Sequence, residues 1–280
     1  MTRLVRLFLI FAFCLIFGQG AFAENVKFVQ IADSHVDVNS SYSQNVLKSA
    51  VEDINKQPDI SFVIFTGDNI NNPSIENLRA FVKIIKKLKV PYYIALGNHD
   101  VYKSRGLSKV RYYEILRETN IFYPQRKPNY KFTRGEFVFL VLDGAKEIIP
   151  GAVGYYRKDT LKFLNKNLSR NNKKQVVILQ NFTVIYPEGA ESKLKTHKTY
   201  KLEEYTKILD NHHNVLAVLS GHFHTNSETM KDGVYHISTP SLLTLPQSYK
   251  IIDIVSTKEF SPIIYTQLRE FEVKSNGDEI

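Results

Sequence analysis

The chain has 280 residues, 43% of them apolar and 12% aromatic, and a formal net charge of +9. This composition is globular and free of low-complexity tracts, and a single cysteine excludes a fold stapled by disulfides. The positive balance favours anionic partners such as phosphates, nucleic acids or lipid headgroups, without choosing among them.

The chain opens MTRLVRLFLIFAFCLIFGQGAFA. Arg3 and Arg6 form a positive start, Leu7 to Phe17 an uninterrupted apolar run, and Ala21-Phe22-Ala23 a small-x-small cleavage site. That is the layout of a secretory signal peptide. The run is short of the roughly 20 apolar residues that span a bilayer, so no stable membrane anchor is expected. Cys14 lacks the small-residue context of a lipidation site. The expected mature chain is 24–280, a single cysteine-free domain with 35 basic and 28 acidic residues, exported to the periplasm or secreted. Many of its lysines fall in FVKIIKKLKV, where a solvated helix face accounts for them.

From residue 26 strands and helices alternate. VKFVQIAD (26–33), SFVIFTGD (61–68) and PYYIALGNHD (91–100) read as strands. SQNVLKSAVEDINKQ (43–57) and SIENLRAFVKIIKKL (74–88) read as helices with apolar residues at helical spacing, the second capped by Ser74. The strands are apolar throughout, as expected when both faces are covered. NYKFTRGEFVFLVLDG (129–144) reads as a hairpin turning at Arg134-Gly135, DTLKFLNKNLSR (159–170) as a helix, and KQVVILQN (174–181) and NVLAVLSGHFH (214–224) as buried strands. A helix is expected near 200–211, and strands at 233–243, 249–256 and 262–270 close the chain. Segments 101–130 and 182–200 read as loops that set pocket specificity. Helices outside two packed sheets is the layering this order suggests.

Polar ligands collect at the carboxyl ends of the strands, where α/β sheets place their sites: Asp33-Ser34-His35, Gly67-Asp68-Asn69, Gly97-Asn98-His99-Asp100 and Gly221-His222-Phe223-His224. The set suits two divalent cations. Asp33, His35 and His224 can hold one, Asn98 and His222 the other, and Asp68 can bridge both. The D-x-H and H-x-H spacings put paired side chains on one side of an extended segment. Mixed nitrogen and oxygen ligands suit manganese, iron or zinc better than calcium.

The ordered blocks DSH, GDN, GNHD and GHFH resemble those of the calcineurin-like metallophosphoesterase superfamily over about residues 27–243. HISTPSL (236–242) resembles the strand after the last block in its exported, cyclic-nucleotide-phosphodiesterase-like members. The resemblance implies an α/β four-layer αββα sandwich, two mixed β-sheets flanked by helices. It also implies hydrolysis of a phosphate mono- or diester by a hydroxide bridging two divalent metal ions. It places His99 beside the substrate phosphate, as stabiliser of its charge or proton donor to the leaving oxygen, with Asp100 orienting His99. One departure stands out. The strand VVILQNFTVIYP offers Asn181 where the family usually supplies a histidine to the second metal, with Gln180 as the alternative in a shifted register. An amide oxygen is a weaker donor than imidazole, so a weakened second site is expected. His197 could replace that ligand but reads better as an exposed loop histidine. His212 and His213 read as surface residues, His236 equally as a substrate contact or a core hydrogen bond, and Tyr155 and Tyr156 as packing; Thr66, Asn69 and Asn71 are candidates for the pocket mouth.

Three functions compete. An exported phosphoesterase acting on a small-molecule phosphate ester is favoured. A binding protein that kept the fold and lost turnover rests on Asn181 alone. A nuclease finds no stripe of interleaved basic and aromatic residues, so a nucleic-acid partner is not expected.

Overall fold

The computed structural model describes residues 24–188, 190–256 and 261–274. The expected signal peptide and the last six residues lie outside the described residues. Among these, no helix is long and apolar enough to cross a membrane.

Two large mixed sheets face each other. In the first, β1 (Glu24–Ile31), β2 (Val63–Thr66) and β3 (Tyr92–Ala95) run parallel in that order, joined by α1 (Ser41–Ile54) and α2 (Ile75–Ile85). The second contains β4 (Tyr130–Arg134), β5 (Phe137–Val141), β7 (Val176–Leu179), β9 (Val215–Ser220), β10 (Ser227–Lys231) and β11 (Val234–Ser238), in the order β10-β11-β9-β7-β5-β4. β12 (Ser248–Ser256) then returns to the first sheet, antiparallel to β1, and β13 (Ile263–Glu270) extends it. Between β3 and β4 lies α3 (Lys109–Thr119). After β5 come the short β6 (Gly154–Tyr155), α4 (Lys158–Arg170), and beyond β7 α5 (Leu194–His197), β8 (Thr199–Tyr200) and α6 (Glu203–Asp210). β6 and β8 pair as a separate two-stranded sheet. Helices α1, α2 and α3 pack in series on one side, and α4 packs with α6 on the other. The expected four-layer sandwich is the fold.

The layers follow from residue patterning. Alternate residues of β1 separate the two cores: Val26 and Phe28 enter the layer between the sheets, Val29 and Ile31 the layer beneath the helices. The inter-sheet layer is aromatic. Phe28 stacks on Phe62 at 4.7 Å between ring centroids, and Phe139 meets Phe62 edge-on at 5.1 Å. β2, β3, β5, β7 and β9 are buried along their whole length, which is why they read as continuous apolar runs. Serines at the helix N-termini satisfy free backbone donors: Ser40, Ser74 and Ser108 accept from the N–H three residues on. The edge of β3 is closed by Tyr130, whose hydroxyl accepts from Ile94 N at 2.8 Å and donates to Ile94 O at 3.0 Å.

Two segments depart from expectation. Residues 101–130 do not form a plain loop but contain α3, which buries Tyr112, Tyr113, Ile115 and Leu116. Its spacing is helical, but charged residues interrupt it. Segment 182–200 is likewise ordered, by α5 and by pairing of β8 with β6. The exposed edge strand β10 has no sequence signal, because its residues are polar and pack on one side only.

Candidate metal centre

The carboxyl ends of β1, β2 and β3 meet those of β7 and β9 along one rim of the sandwich. Cross-links between the sheets set this rim. Gln30, fully buried, donates to Thr66 Oγ1 at 3.2 Å and to Ser220 O at 2.9 Å. Asn181 at the end of β7 donates through Nδ2 to Thr66 O at 2.9 Å and to Asp33 Oδ1 at 3.1 Å. The Thr66 carbonyl is an acceptor only, so the amide nitrogen must face it and the oxygen must point elsewhere.

Asp33, His35, Asp68, His222 and His224 all adopt left-handed backbone, with φ of 51°, 42°, 49°, 69° and 55°. Alternation along an extended strand therefore does not bring Asp33 to His35, or His222 to His224, as the spacing suggests. Each pair converges because the chain has left the strand and turns sharply. Left-handed conformations are costly for residues with a Cβ and persist where surrounding contacts hold them. Here Asp33 N donates to Gly67 O, His35 N to Asp68 O, and Ser241 Oγ to Asp33 O at 2.7 Å. Gly67, at φ +92°, allows a close approach: a Cβ there would lie 2.7 Å from Asn181 Cβ and 2.8 Å from Gly97 N.

Ligand atoms of Asp33, His35 and His224 lie within 4.8 Å of one another, close enough to share one ion. The two Nε2 atoms of His35 and His224 are 3.3 Å apart. Burial lowers the pKa of both rings, that of His224 to about 3, so each presents a lone pair near neutral pH. Asp33 is pushed well above the usual carboxylate range by burial and then by the charge of Asp68. Burial also opposes ionisation of Asp68, but His222, His35 and His99 outweigh it and hold this carboxyl below its usual range. Asp68 Oδ1 accepts from His99 N at 2.9 Å, and Oδ2 lies 3.9 Å from His222 Nδ1. His222 Nε2 sits 3.2 Å from the carbonyl of His197. Donation there leaves the Nδ1 lone pair facing Asp68.

The donor set carries unsatisfied atoms. Asn98 Oδ1 and Asn181 Oδ1 are buried with no hydrogen-bond partner. Two orphaned amide oxygens beside buried carboxylates and neutral imidazoles are costly alone and suited to a cation. Asp68, Asn98, Asn181 and His222 are thus the candidates for a second group. Gln180 is excluded from it: its amide accepts from Tyr205 OH at 2.8 Å and donates to Phe182 O at 2.8 Å.

His99 projects half-buried beside His35, ring centroids 4.7 Å apart. Its Nδ1 is 2.7 Å from Asn71 O. Asp100 does not orient it. The Asp100 carboxylate is fully buried and accepts from Asn69 N, Ile70 N, Asn69 Nδ2 and Gly97 N at 2.8–3.2 Å. Burial, then the Asp68 charge, pushes it up to about 8 against those donors. It is a hub for the loops after β2 and β3, and the ring-orienting contact belongs to the Asn71 carbonyl. Asn69 joins the same hub, and Thr66 is buried between the sheets rather than at a pocket mouth.

His197 is half-exposed rather than an outlying loop residue, its ring centroid 5.0 Å from that of His222. His236 lines a cavity of about 610 Å³ with His212 and His213, none of whose walls belongs to the two ligand groups. The size of that cavity does not make it the reactive centre, since the convergent buried acids, amides and imidazoles lie elsewhere.

Residues 26–226 match the family model described as calcineurin-like phosphoesterase. A probable cyclic nucleotide phosphodiesterase of Vesicomyosocius okutanii is 27% identical, over 78% of this chain and 86% of that protein. A probable glycerophosphodiester phosphodiesterase of Arcobacter nitrofigilis is 24% identical, over 76% of this chain and 77% of that protein. Among solved structures, a dimetal phosphatase from Danio rerio superposes with a TM-score of 0.61 at 16% identity, over 86% of this chain and 98% of that one. The matched span contains every ligand candidate from Asp33 to His224, and the chain belongs to the calcineurin-like phosphoesterase family, hydrolases that use divalent metal ions.

Proposed function

We propose that this chain is an exported hydrolase of small phosphodiesters that uses two divalent ions. The observation that carries the reading is the convergence of Asp33, His35, Asp68, Asn98, Asn181, His222 and His224 on one rim, with two amide oxygens buried and unpartnered. In this reading Asp33, His35 and His224 would hold the first ion, Asn98, Asn181 and His222 the second, and Asp68 would serve both. The nitrogen and oxygen donors favour manganese, iron or zinc. The diester class is favoured by the relatives described as phosphodiesterases. Export rests on the cleavable leader read in residues 1–23.

When bound, the ions supply charge neutralisation of the phosphoryl oxygens and an acidified water as nucleophile. The chain's own residues do the rest. His99 Nδ1–H donates to the Asn71 carbonyl, which fixes the ring and leaves Nε2 to face the ester. Protonated there, Nε2 donates to the departing alkoxide and recovers its proton from solvent. The backbone N–H of His99 holds Asp68 Oδ1, so one short loop sets both the ligand and the acid.

The full chain should be expressed with its leader and the purified protein weighed; export predicts a mass beginning at Glu24. The metal-stripped protein is reloaded with manganese, iron or zinc and assayed on a chromogenic phosphodiester and a phosphomonoester, beside Asp68→Asn. Metal-dependent diester turnover, lost in the variant, is expected. A folded protein inactive with every metal would instead favour a binding protein that kept the fold, and faster monoester turnover would reverse the substrate class.

A further inference from the structure

The two ligand groups are unequal. Around the first there are two imidazoles, His35 and His224; around the second only His222, with the amides of Asn98 and Asn181. Amide oxygens are poorer donors than imidazole to manganese, iron or zinc. A third imidazole stands beside the second group. We propose that His197 is a ligand of the second ion, supplying through Nε2 the imidazole that the end of β7 does not. This inference rests on the dinuclear reading above.

The ring centroids of His197 and His222 are 5.0 Å apart. Two imidazoles bound to one ion with metal–nitrogen bonds of about 2 Å place their centroids about 5 Å apart. The pair that shares the first group, His35 and His224, has its centroids at a similar 5.3 Å. His197 Nδ1 is engaged by Thr196 Oγ1 at 2.7 Å, and the ring also meets the Lys193 carbonyl one helical turn back. A ring tethered at one nitrogen presents the other as donor.

The segment carrying His197 is pinned on both sides. Lys193 Nζ donates to the carbonyl of Phe223, between His222 and His224, at 2.8 Å. Thr199 Oγ1 donates to Thr183 O at 2.7 Å, and β8 pairs with β6 from Thr199 onward. The His197 carbonyl itself accepts from His222 Nε2. His197 is therefore held against the group by neighbours that do not depend on its ring.

The test is metal uptake. Protein expressed from the full chain is stripped and titrated with cobalt(II), read by calorimetry and by the visible absorption of the bound ion, for the native protein, His197→Ala, His197→Gln and His197→Ala/Asn181→His. The native protein is expected to take two ions. His197→Ala should keep the first and bind the second more than about 100-fold more weakly, beyond the range for outer-shell partners. The alanine keeps its backbone carbonyl, so the loss reports the ring. The double variant should regain the second ion, because it returns an imidazole to position 181. Native stoichiometry and affinity in both single variants overturn the proposal and leave the dinuclear reading standing. Loss of both ions together in the single variants also overturns it. A native protein that takes fewer than two ions overturns the dinuclear reading, and the proposal with it.

Discussion

Replacing Asp100 separates a positioning role from a catalytic one. Its carboxylate is fully buried and accepts from three backbone N–H groups, of Asn69, Ile70 and Gly97, and from Asn69 Nδ2. In Asp100→Ala the three backbone donors lose their acceptor in a site closed to solvent. At about 1–3 kcal/mol for each buried unsatisfied group, and with part recovered by entering water, the loss comes to about 3–5 kcal/mol. For a chain of this length, each kcal/mol lowers the melting temperature by about 2–4 °C, so a fall of about 10 °C is expected. Asp100→Asn preserves shape and one acceptor, and should lose about half as much. In both variants turnover should fall together with metal affinity, because Gly97 precedes Asn98 and Asn69 follows Asp68. The alkaline limb of the kcat profile, set by the group that protonates the leaving oxygen, should stay in place. Calorimetric melting, metal titration and a pH–rate profile on the same preparations decide it. An Asp100→Asn protein that melts and binds metal like the native one, but has a shifted pH profile, would show that the carboxylate acts through His99 and refute the positioning argument.

Two further perturbations follow from the geometry. Gly67→Ala places a methyl within 2.8 Å of Asn181 Cβ and Gly97 N at φ +92°, so it should cost more than about 2 kcal/mol and weaken metal uptake; native melting and full uptake would refute that packing. Asp53 accepts from Arg269 Nε and Nη2 at 2.6 and 2.9 Å and from Tyr249 OH, tying α1 to β12 and β13, and the Arg269 bond chiefly holds its pKa below the usual value. A depressed carboxylate stabilises the fold above its unfolded pKa of about 3.9, and that contribution is lost as pH falls through the folded value. Asp53→Asn should therefore cost about 0.5–1 kcal/mol at neutral pH. Its denaturation midpoint should converge on the native one under strong acid, and a constant difference across pH would contradict the assignment.

Much of the site was legible in sequence because its parts are local. An apolar run, a small residue and then polar ligands form a strand that stops and turns, and that order survives without knowing what lies across the rim. Asp33, Asp68, Asn98, His222 and His224 each sit at such a stop, so their types and spacing announced them. The helices of the first half were legible for the same reason, with boundaries within about three residues. What the local pattern misreads is conformation: Asp-x-His looks like alternation on a strand, whereas five left-handed residues bring the ligands together.

Contacts between distant segments carry no such mark. That Asn181 and not Gln180 faces Asp33 depends on Tyr205 and Phe182 claiming the glutamine. That Asp100 serves Gly97 and Asn69 instead of His99 depends on where the loops after β2 and β3 fold over it. The nearness of His197 to His222, 25 residues away, depends on β8 pairing with β6 and on Lys193 reaching the Phe223 carbonyl. A residue's type and its immediate neighbours set the backbone preferences and donor chemistry available at a strand end. Which of those donors meet is decided only when the two sheets pack and the connecting segments close over their shared rim, because burial and hydrogen bonding there are properties of the assembled whole.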